Sequence, residues 1–384
     1  VAGYFHPACA SRSCPHILQV EWREDALLDA LEDLGRSLKS PAPLFITKDE
    51  AVLWISGQED RLSPYYKINL PRPETVRLLM DKASFLHLAG EEGWPVAATW
   101  TARNQDEMEK LLPRLSFPLI LKPFIKNEIF RRNSPKKAFR ISHAEELRSV
   151  YSMVSQWEKE VILQEWIGGG DDRIAYCLTY CDSQGKPLAV FPGRKIRQWP
   201  VECGNTAIAE PAPEGWREPV IQLTRQIWDR VDYRGLGSVE FKMRPEDDRP
   251  VIMEPTVGRT NYQNEIAVLN GCNLPAVMYS GLTGVDLPVN STAPRPVKLV
   301  DGGSEIKSAW VYYRRGELNL FRWRKDLRGP KRYMLFRRGD MKPFLTWLWL
   351  GVRQYAGALI HKTFGRKIKA HIKRLLGISS GNTP

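Results

Sequence analysis

The sequence is 384 residues long, with 43% hydrophobic and 26% charged residues, which is enough for two or three domains with apolar cores. The net charge of +12 is unevenly distributed: residues 301–384 contain 19 Lys and Arg against 5 Asp and Glu, whereas residues 1–300 contain 37 against 39. The body is therefore nearly neutral. This excludes a uniformly basic nucleic-acid-binding protein and favours an enzyme or binding domain with a basic appendage.

The six cysteines are scattered and none forms a C-x-x-C pair. Neither a zinc site nor a disulfide framework is supported, and a reducing, cytoplasmic setting fits best. No secretory signal opens the sequence, and no run of 18 apolar residues is present. Because the sequence begins at Val1 rather than Met, we expect that a segment upstream of Val1 is missing.

Residues 1–93 are predicted to form an α/β domain. Residues 26–38 have apolar side chains at helical spacing, and residues 43–47 and 51–55 resemble strands. If this domain is a small doubly wound sheet, its first strand lies before Val1. Residues 74–92 are predicted to be helical.

Two carboxylates fall on one predicted β-hairpin within residues 237–259. Residues 238–242 alternate apolar and polar side chains, which places Glu240 opposite the apolar face. Residues 244–249 make the turn, and the returning strand ends in Glu254. Neighbouring carboxylates on paired strands suit a divalent cation such as Mg²⁺. The alternative is an exposed hairpin with two solvated glutamates.

A buried strand that ends in Lys122 places one ammonium at a defined position, because Pro123 follows directly. Such a lysine could meet a phosphate. The alternative is a solvent-exposed lysine on an edge strand. Lys137 belongs to a second basic group that precedes the strand-like residues 138–141.

A hinge follows the strand-like residues 161–164. It contains an acidic residue and an aromatic, and then three glycines lead to Asp171 and Asp172. Its backbone could form hydrogen bonds with the edge of a purine, while Trp166 and Ile167 pack on the face of the ring. Either aspartate could accept hydrogen bonds from ribose hydroxyls. The alternative is an ordinary glycine-rich loop.

Further along the chain, Lys195 and Arg197 alternate with Ile196. Both cations are therefore expected to point the same way from a strand, toward an anion or toward water.

Taken in order, Lys122, the hinge at 164–167 and the carboxylates Glu240 and Glu254 resemble the ATP-grasp superfamily of carboxylate–amine ligases. The resemblance covers roughly residues 40–290. It implies a nucleotide held between two α+β subdomains, a carboxylate that ATP converts to an acyl phosphate, and an amine that attacks it to give an amide. ATP and Mg²⁺ are the implied cofactors, and the substrates are small-molecule or peptide carboxylates and amines.

The resemblance also implies roles for individual residues. Nucleotide contacts fall to Lys122, Lys137, Gln164, Glu165, Trp166, Ile167 and Asp172. Catalytic roles fall to Lys195, Arg197 and Arg259. The metal ligands are Glu240, Glu254 and Thr256.

The sequence departs from the superfamily pattern in two places. Thr256 stands where the superfamily commonly has asparagine, so either Thr256 or Asn261 would complete the metal site. The loop at 124–135 contains no glycine, so phosphate contact there would rely on side chains. Beyond the hairpin, Gln263, Asn264 and Glu265 would either line an acceptor pocket or cap a helix.

The predicted architecture is an N-terminal α/β domain (1–93), an ATP-grasp lid subdomain (94–167), a second ATP-grasp subdomain with the metal site (168–300) and a basic helical tail (301–384). In that tail, residues 310–340 are basic and aromatic, and residues 344–350 read Phe-Leu-Thr-Trp-Leu-Trp-Leu. This run is too short to span a bilayer but suits an interface, and the basic residues beyond 361 suit anionic lipid. The tail is therefore expected to contact the inner face of a membrane, or to pack its tryptophans on the core.

The sequence thus favours an ATP-dependent ligase, with a role in building a cell-surface polymer or peptide suggested by the tail alone. A nucleotide-binding regulator without catalysis is the alternative. A protein that binds nucleic acid through the basic tail is the second alternative.

Overall fold

The structure is a computed structural model that describes residues 6–123, 128–134, 138–202, 204–260, 263–287 and 296–353. The chain divides into two compact units. One is built from the described residues within 1–30 and 333–384, and the other from those within 31–332. None of the described helices is both long enough and apolar enough to cross a membrane.

The N-terminal part is mainly helical, with one parallel pair of two-residue strands. Its elements are α1 (Glu24–Arg36), β1 (Ala42–Pro43), α2 (Asp49–Ser56), α3 (Glu59–Leu62), β2 (Tyr66–Lys67), α4 (Pro73–Met80) and α5 (Lys82–Glu91). The strand predicted over 51–55 is wrong, because α2 occupies these residues. Its first turn is acidic, and its apolar side chains, such as Val52 and Ile55, bury one face.

The helix predicted over 74–92 is interrupted at Asp81. This residue ends α4, and its carboxylate accepts a hydrogen bond of 2.8 Å from the backbone N–H of Ser84. Such a side-chain cap starts a new helix, α5. The break places the end of α4 and the start of α5 at the cavity described below.

A four-stranded antiparallel sheet in the order β3-β6-β4-β5 follows. Its elements are β3 (Thr99–Ala102), α6 (Gln105–Leu111), β4 (Leu119–Pro123), α7 (Glu128–Asn133), β5 (Phe139–Ile141), α8 (Ala144–Val154) and β6 (Val161–Glu165). Fully buried side chains from strands and helices, including Met108, Leu121, Leu147 and Leu163, form its core. The sheet falls within the predicted lid subdomain at 94–167.

A larger sheet has the order β11-β10-β7-β8-β9-β12-β13. Its strands and accompanying helices are β7 (Ile174–Cys181), β8 (Pro187–Trp199), β9 (Asn205–Pro211), α9 (Glu214–Arg230), β10 (Gly235–Met243), β11 (Pro250–Val257), α10 (Asn264–Leu269), α11 (Leu274–Thr283), β12 (Lys298–Val300), α12 (Gly302–Arg314), α13 (Leu320–Asp326) and β13 (Lys331–Tyr333). The segment after 300 therefore starts within this architecture, since β13 joins the sheet and α12 packs on β8 and β9.

Candidate functional site

A cavity of about 420 Å³ brings most of the sequence-predicted site residues together. The four-stranded sheet contributes Lys122 from β4 and Gln164 from β6. The larger sheet contributes Lys195 from β8, Glu240 from β10 and Glu254 from β11. Residues more than 130 positions apart in the sequence thus face one space.

The two carboxylates lie directly opposite each other on the β10–β11 hairpin. Glu240 and Glu254 are antiparallel partners, and the register shifts between Glu240 and Phe241, so that Phe241 pairs with Ile252. The shift is a β-bulge of the kind that re-aims side chains near functional sites. It lets both glutamates face the cavity while Phe241 and Ile252 stay in the core.

Each glutamate has a lysine beside it. Lys195 Nζ lies 2.8 Å from Glu240 Oε2, and the lysine side chain is only 5% exposed. Lys82 Nζ lies 4.0 Å from Glu254 Oε2, with both side chains more than half exposed. The first pair is held firmly in a poorly solvated place, whereas the second is screened by water and weak. These cations offset the repulsion between the two carboxylates.

Lys122 is oriented by the neighbouring strand. Its Nζ donates to Gln164 Oε1 at 3.0 Å, and Gln164 Nε2 donates in turn to Thr99 Oγ1 at 2.9 Å. These two hydrogen bonds connect β4, β6 and β3. They hold the ammonium at the cavity wall, as expected from its position at the end of a buried strand.

The hinge is fixed by side chains on both sides. The carboxylate of Glu165 lies 3.0 Å from Arg244 and accepts from the backbone N–H of Ala98 at 3.2 Å. The guanidinium of Arg140 lies 4.7 Å from the ring centre of Trp166, and Ile167 is buried. Glu165 therefore positions the segment, and Trp166 and Ile167 provide the cavity wall that the sequence indicated.

Lys242 is a cavity residue to which the sequence analysis gave no role. Its Nζ donates to the carbonyls of Gly169 (2.9 Å) and Gly170 (2.6 Å), and Gly169 has a φ of +87°, which favours glycine. Burial lowers the pKa of Lys242 to about 8, against the opposing effect of Asp171 and Asp172. Its place two residues after Glu240, on the same strand face, is the sequence signal that could have identified it.

Arg197 lies outside this cavity, which corrects the expectation that it shares a direction with Lys195. A β-bulge in the pairing of β8 with β9 separates the two residues. Arg197 is buried and forms ion pairs with Glu305 and Asp326. A simple alternation of side chains does not hold across a bulge.

Three more sequence-predicted residues are placed elsewhere. Asp172 pairs with Arg322 at 3.1 Å. Arg259 forms two hydrogen bonds with Asp49, of 2.6 and 2.8 Å. Thr256 is not among the residues that line the cavity. Lys137 and Asn261 lie outside the described residues, as do residues 124–127 and 135 of the predicted loop at 124–135, whereas α7 occupies Glu128–Asn133 within it.

Asp171 is buried and organises a turn rather than facing a ligand. Its carboxylate accepts from the backbone and side-chain amides of Gln198 (3.0 and 2.9 Å) and from the backbone N–H of Glu202 (3.1 Å). Burial raises its pKa, against the effect of these donors. Glu202 has a φ of 69°, a left-handed conformation that is uncommon for a residue with a side chain. Gln198 and Glu202 both line the cavity.

Gln263 also lines the cavity. This residue precedes α10 but makes no capping hydrogen bond with its side chain. Instead, its Nε2 donates to Thr206 Oγ1 at 2.8 Å, and both residues line the cavity. The sequence left open whether Gln263 lines a pocket or caps a helix, and the structure shows that it lines the cavity. Asn264 and Glu265 belong to the first turn of α10 and are not among the cavity-lining residues.

The donor set suits a magnesium ion that is shared with a phosphate ligand. Among the described residues, no group of three or more His, Cys, Asp or Glu could hold a metal alone. Mg²⁺ is commonly held by one or two carboxylates, with waters and substrate phosphates completing its shell. Glu240 and Glu254 face an open cavity and meet this requirement.

No family description matches the sequence, and no curated protein does so. Solved structures do match. The biotin carboxylase–βγ-ATP complex from Campylobacter jejuni has a TM-score of 0.54 at 16% identity, over 70% of this chain and 59% of that chain. The biotin carboxylase domain of the Hydrogenobacter thermophilus 2-oxoglutarate carboxylase, in complex with MgADP, ADP and bicarbonate, has a TM-score of 0.52 at 14% identity, over 69% and 58%.

An ADP complex of N5-carboxyaminoimidazole ribonucleotide synthetase also matches, with a TM-score of 0.54 at 15% identity, over 77% of this chain and 74% of that chain. This chain thus spans less than two thirds of the two biotin carboxylase chains. The shared architecture is the ATP-grasp fold, as the ordered motifs indicated.

Proposed function

We propose that this protein is an ATP-dependent ligase that joins a carboxylate to an amine with the help of Mg²⁺. The observation that carries the proposal is the cavity itself. It combines two lysines (Lys122 and Lys195), a fixed hinge beside Trp166 and two opposed carboxylates (Glu240 and Glu254). The ATP-grasp fold and the nucleotides in the names of the matching structures support the same conclusion.

Phosphoryl transfer is the first step of the proposed reaction. A carboxylate oxygen of the substrate forms a bond to the γ-phosphorus of ATP, and the bond from that phosphorus to the bridging oxygen breaks, which releases ADP and leaves an acyl phosphate. Such a transfer needs positioning and positive charge more than covalent help. Lys122 and Lys195 supply the charge, and Mg²⁺ held by Glu240 and Glu254 neutralises phosphate oxygens when bound.

Amide formation is the second step. The amine nitrogen bonds to the acyl carbon, the bond from that carbon to the phosphate oxygen breaks, and phosphate leaves while the nitrogen loses a proton. Gln198, Glu202 and Gln263 also line the cavity and offer hydrogen-bond donors and acceptors of the kind that an amine substrate requires. The carboxylate of Glu202 already pairs with Arg315 at 2.9 Å, so we assign the amine to this group of residues rather than to Glu202 alone.

The residues outside the cavity have supporting roles in this proposal. Arg197, Asp172 and Arg259 each hold a partner carboxylate or guanidinium. We therefore assign catalysis to Lys195 and nucleotide binding to Lys122 and the hinge. We propose no role in the metal site for Thr256.

Hydroxylamine trapping tests the proposal. Protein, Mg·ATP, pooled carboxylic acids and hydroxylamine should give ADP and a hydroxamate, because hydroxylamine intercepts an acyl phosphate. Glu254→Gln and Lys122→Ala should abolish both products. Glu246→Gln, on the turn of the same hairpin, and Lys186→Ala, on an exposed turn, are the matched controls and should retain activity.

A regulator that binds ATP without turnover is a second candidate. It is favoured by Thr256, which stands where the superfamily commonly has asparagine and is not among the residues that line the cavity. Tight ATP binding with neither ADP nor hydroxamate, over a broad acid pool, would favour it over the ligase. A role in building a cell-surface polymer or peptide extends the ligase proposal, and it depends on the membrane contact considered next.

A further inference from the structure

An exposed apolar surface lies on α12 and α13. Five of its side chains are more than half exposed: Ile306 (64%), Trp310 (59%), Tyr313 (51%), Leu320 (59%) and Phe321 (79%). We call these residues the α12–α13 face. The first three recur at spacings of four and three and therefore lie on one side of α12. Another side of the helix is buried and includes Ala309 and Tyr312, so α12 has apolar side chains both toward the protein and toward solvent.

Both helices are anchored, so the exposure of the face does not reflect a loosely attached segment. Glu305 of α12 is 2% exposed and pairs with Arg197 of β8. Trp323 Nε1 of α13 donates to the same carboxylate at 3.0 Å, and Asp326 at the end of α13 also pairs with Arg197. One arginine thus fastens both helices to the sheet. Trp323 packs inward while its neighbours on α13 face solvent.

The charge around this face is strongly positive. Exposed basic residues surround it on both helices and in the turn that follows, and the exposed acidic residue between 306 and 328 is Glu317. The exposed basic residues in this range are Lys307, Arg314, Arg324, Lys325 and Arg328, together with Arg315 and Arg322, which pair with Glu202 and Asp172. Arg314 lies over the ring of Trp310, 5.9 Å from its centroid. Exposed apolar side chains among exposed basic ones favour an interaction with an anionic partner.

We propose that the α12–α13 face binds the surface of a membrane rich in anionic lipids. Tryptophan, phenylalanine and leucine with flanking Lys and Arg are the composition of segments that lie in the headgroup region. Ile306 and Leu320 favour lipid over nucleic acid, because an aliphatic side chain can enter the acyl boundary but has no ring on which a base could stack.

A second apolar segment lies in the other unit. Residues 342–353 are helical, and their exposed side chains include Leu345, Trp347, Leu348 and Trp349. The basic residues beyond 361 on which the sequence-based expectation also relied lie outside the described residues.

Vesicle flotation with the full chain tests the proposal. Vesicles of phosphatidylcholine alone are compared with vesicles that also contain phosphatidylglycerol, at physiological salt and without ATP. The wild type should float with the anionic vesicles. Trp310→Ala combined with Phe321→Ala should lower the partition coefficient at least about tenfold, and Arg324→Gln combined with Lys325→Gln should lower it several-fold. Leu188→Ala combined with Lys186→Gln, exposed residues elsewhere on the same unit, is the matched control and should bind like the wild type.

Flotation that does not depend on phosphatidylglycerol would overturn the proposal, and so would unchanged flotation of the Trp310/Phe321 variant. It would also be overturned if the wild type did not bind vesicles but bound RNA, and the Trp310/Phe321 variant lost that RNA binding. Thermal unfolding of each variant verifies that it is folded, and all six substituted positions are exposed. The assay contains no substrate, so its result is independent of the proposed ligase activity.

Discussion

Replacing Lys195 with methionine should change turnover and the affinity for Mg²⁺ in opposite directions. A simple loss of folding would lower both. Lys195 Nζ lies 2.8 Å from Glu240 Oε2, and at an effective dielectric constant of 20 this separation corresponds to about 6 kcal/mol of attraction, before the cost of dehydration. The lysine therefore neutralises much of the charge that Glu240 would offer to a metal ion. Its loss should remove positive charge from the phosphoryl group and, at the same time, leave the Glu240–Glu254 pair more negative.

Turnover and metal affinity should then move in opposite directions. Loss of one charge that stabilises the transition state should lower kcat about 100- to 1000-fold. Even a quarter of the lost attraction, about 1.5 kcal/mol, would raise the apparent affinity for Mg²⁺ about tenfold. Hydroxamate formation measured over a Mg²⁺ titration gives both quantities, with the exposed Lys186→Met as control. If Mg²⁺ affinity falls together with turnover, or does not change, Lys195 does not neighbour the metal site and the reasoning fails.

Other positions give further tests. Arg197→Met should lower the free energy of unfolding by about 3–5 kcal/mol, because it leaves the buried carboxylate of Glu305 without its cation. Urea titration measures this free energy. A variant that unfolds like the wild type but has no turnover would show instead that Arg197 is catalytic. Since burial lowers the pKa of Lys242 to about 8, its ammonium is charged below this pH and loses its proton above it. Because Lys242 lines the cavity, we expect its ammonium to attract the phosphates of ATP. The affinity for ATP should therefore fall as the pH rises through 8, and Lys242→Met should flatten that profile; an identical profile in the variant would show that Lys242 does not contribute to ATP binding. Asp171→Ala leaves three N–H donors without their acceptor and should lower the unfolding free energy by about 2 kcal/mol or more while raising the KM for the amine; unchanged stability in thermal unfolding would contradict the role of Asp171 in holding the turn.

The hairpin could be predicted from sequence because its signal is local. Alternating side chains over 238–242 fix which face Glu240 occupies, and the register of β10 with β11 then places Glu254 opposite it. Lys122 was predictable for a similar reason, since a buried strand ends at that residue. In each case, the period of two along a strand determines the direction of the side chain.

Bulges and distant partners set the limit of that reasoning. Ile196 lies between Lys195 and Arg197, yet the register shift after Lys195 sends the two cations to different places. The partners of Arg197, Asp172 and Arg259 are at least 100 residues away in sequence, and no local pattern announces them. The helix at 49–56 shows a related limit, because a short apolar run fits a strand or a helix equally well. The cap at Asp81 also escaped the sequence analysis, because the helical pattern continues across it.

An isotope-transfer measurement tests the central claim most directly. An acyl-phosphate route moves one carboxylate oxygen of the substrate into inorganic phosphate, because that oxygen bonds to phosphorus in the first step and leaves with it in the second. A carboxylate substrate found by hydroxamate formation would be labelled with ¹⁸O and incubated with the wild-type protein, Mg·ATP and an amine. One ¹⁸O atom in the phosphate for each amide formed is the expected result. Amide formation with label in AMP, or with unlabelled phosphate, would contradict the proposed mechanism.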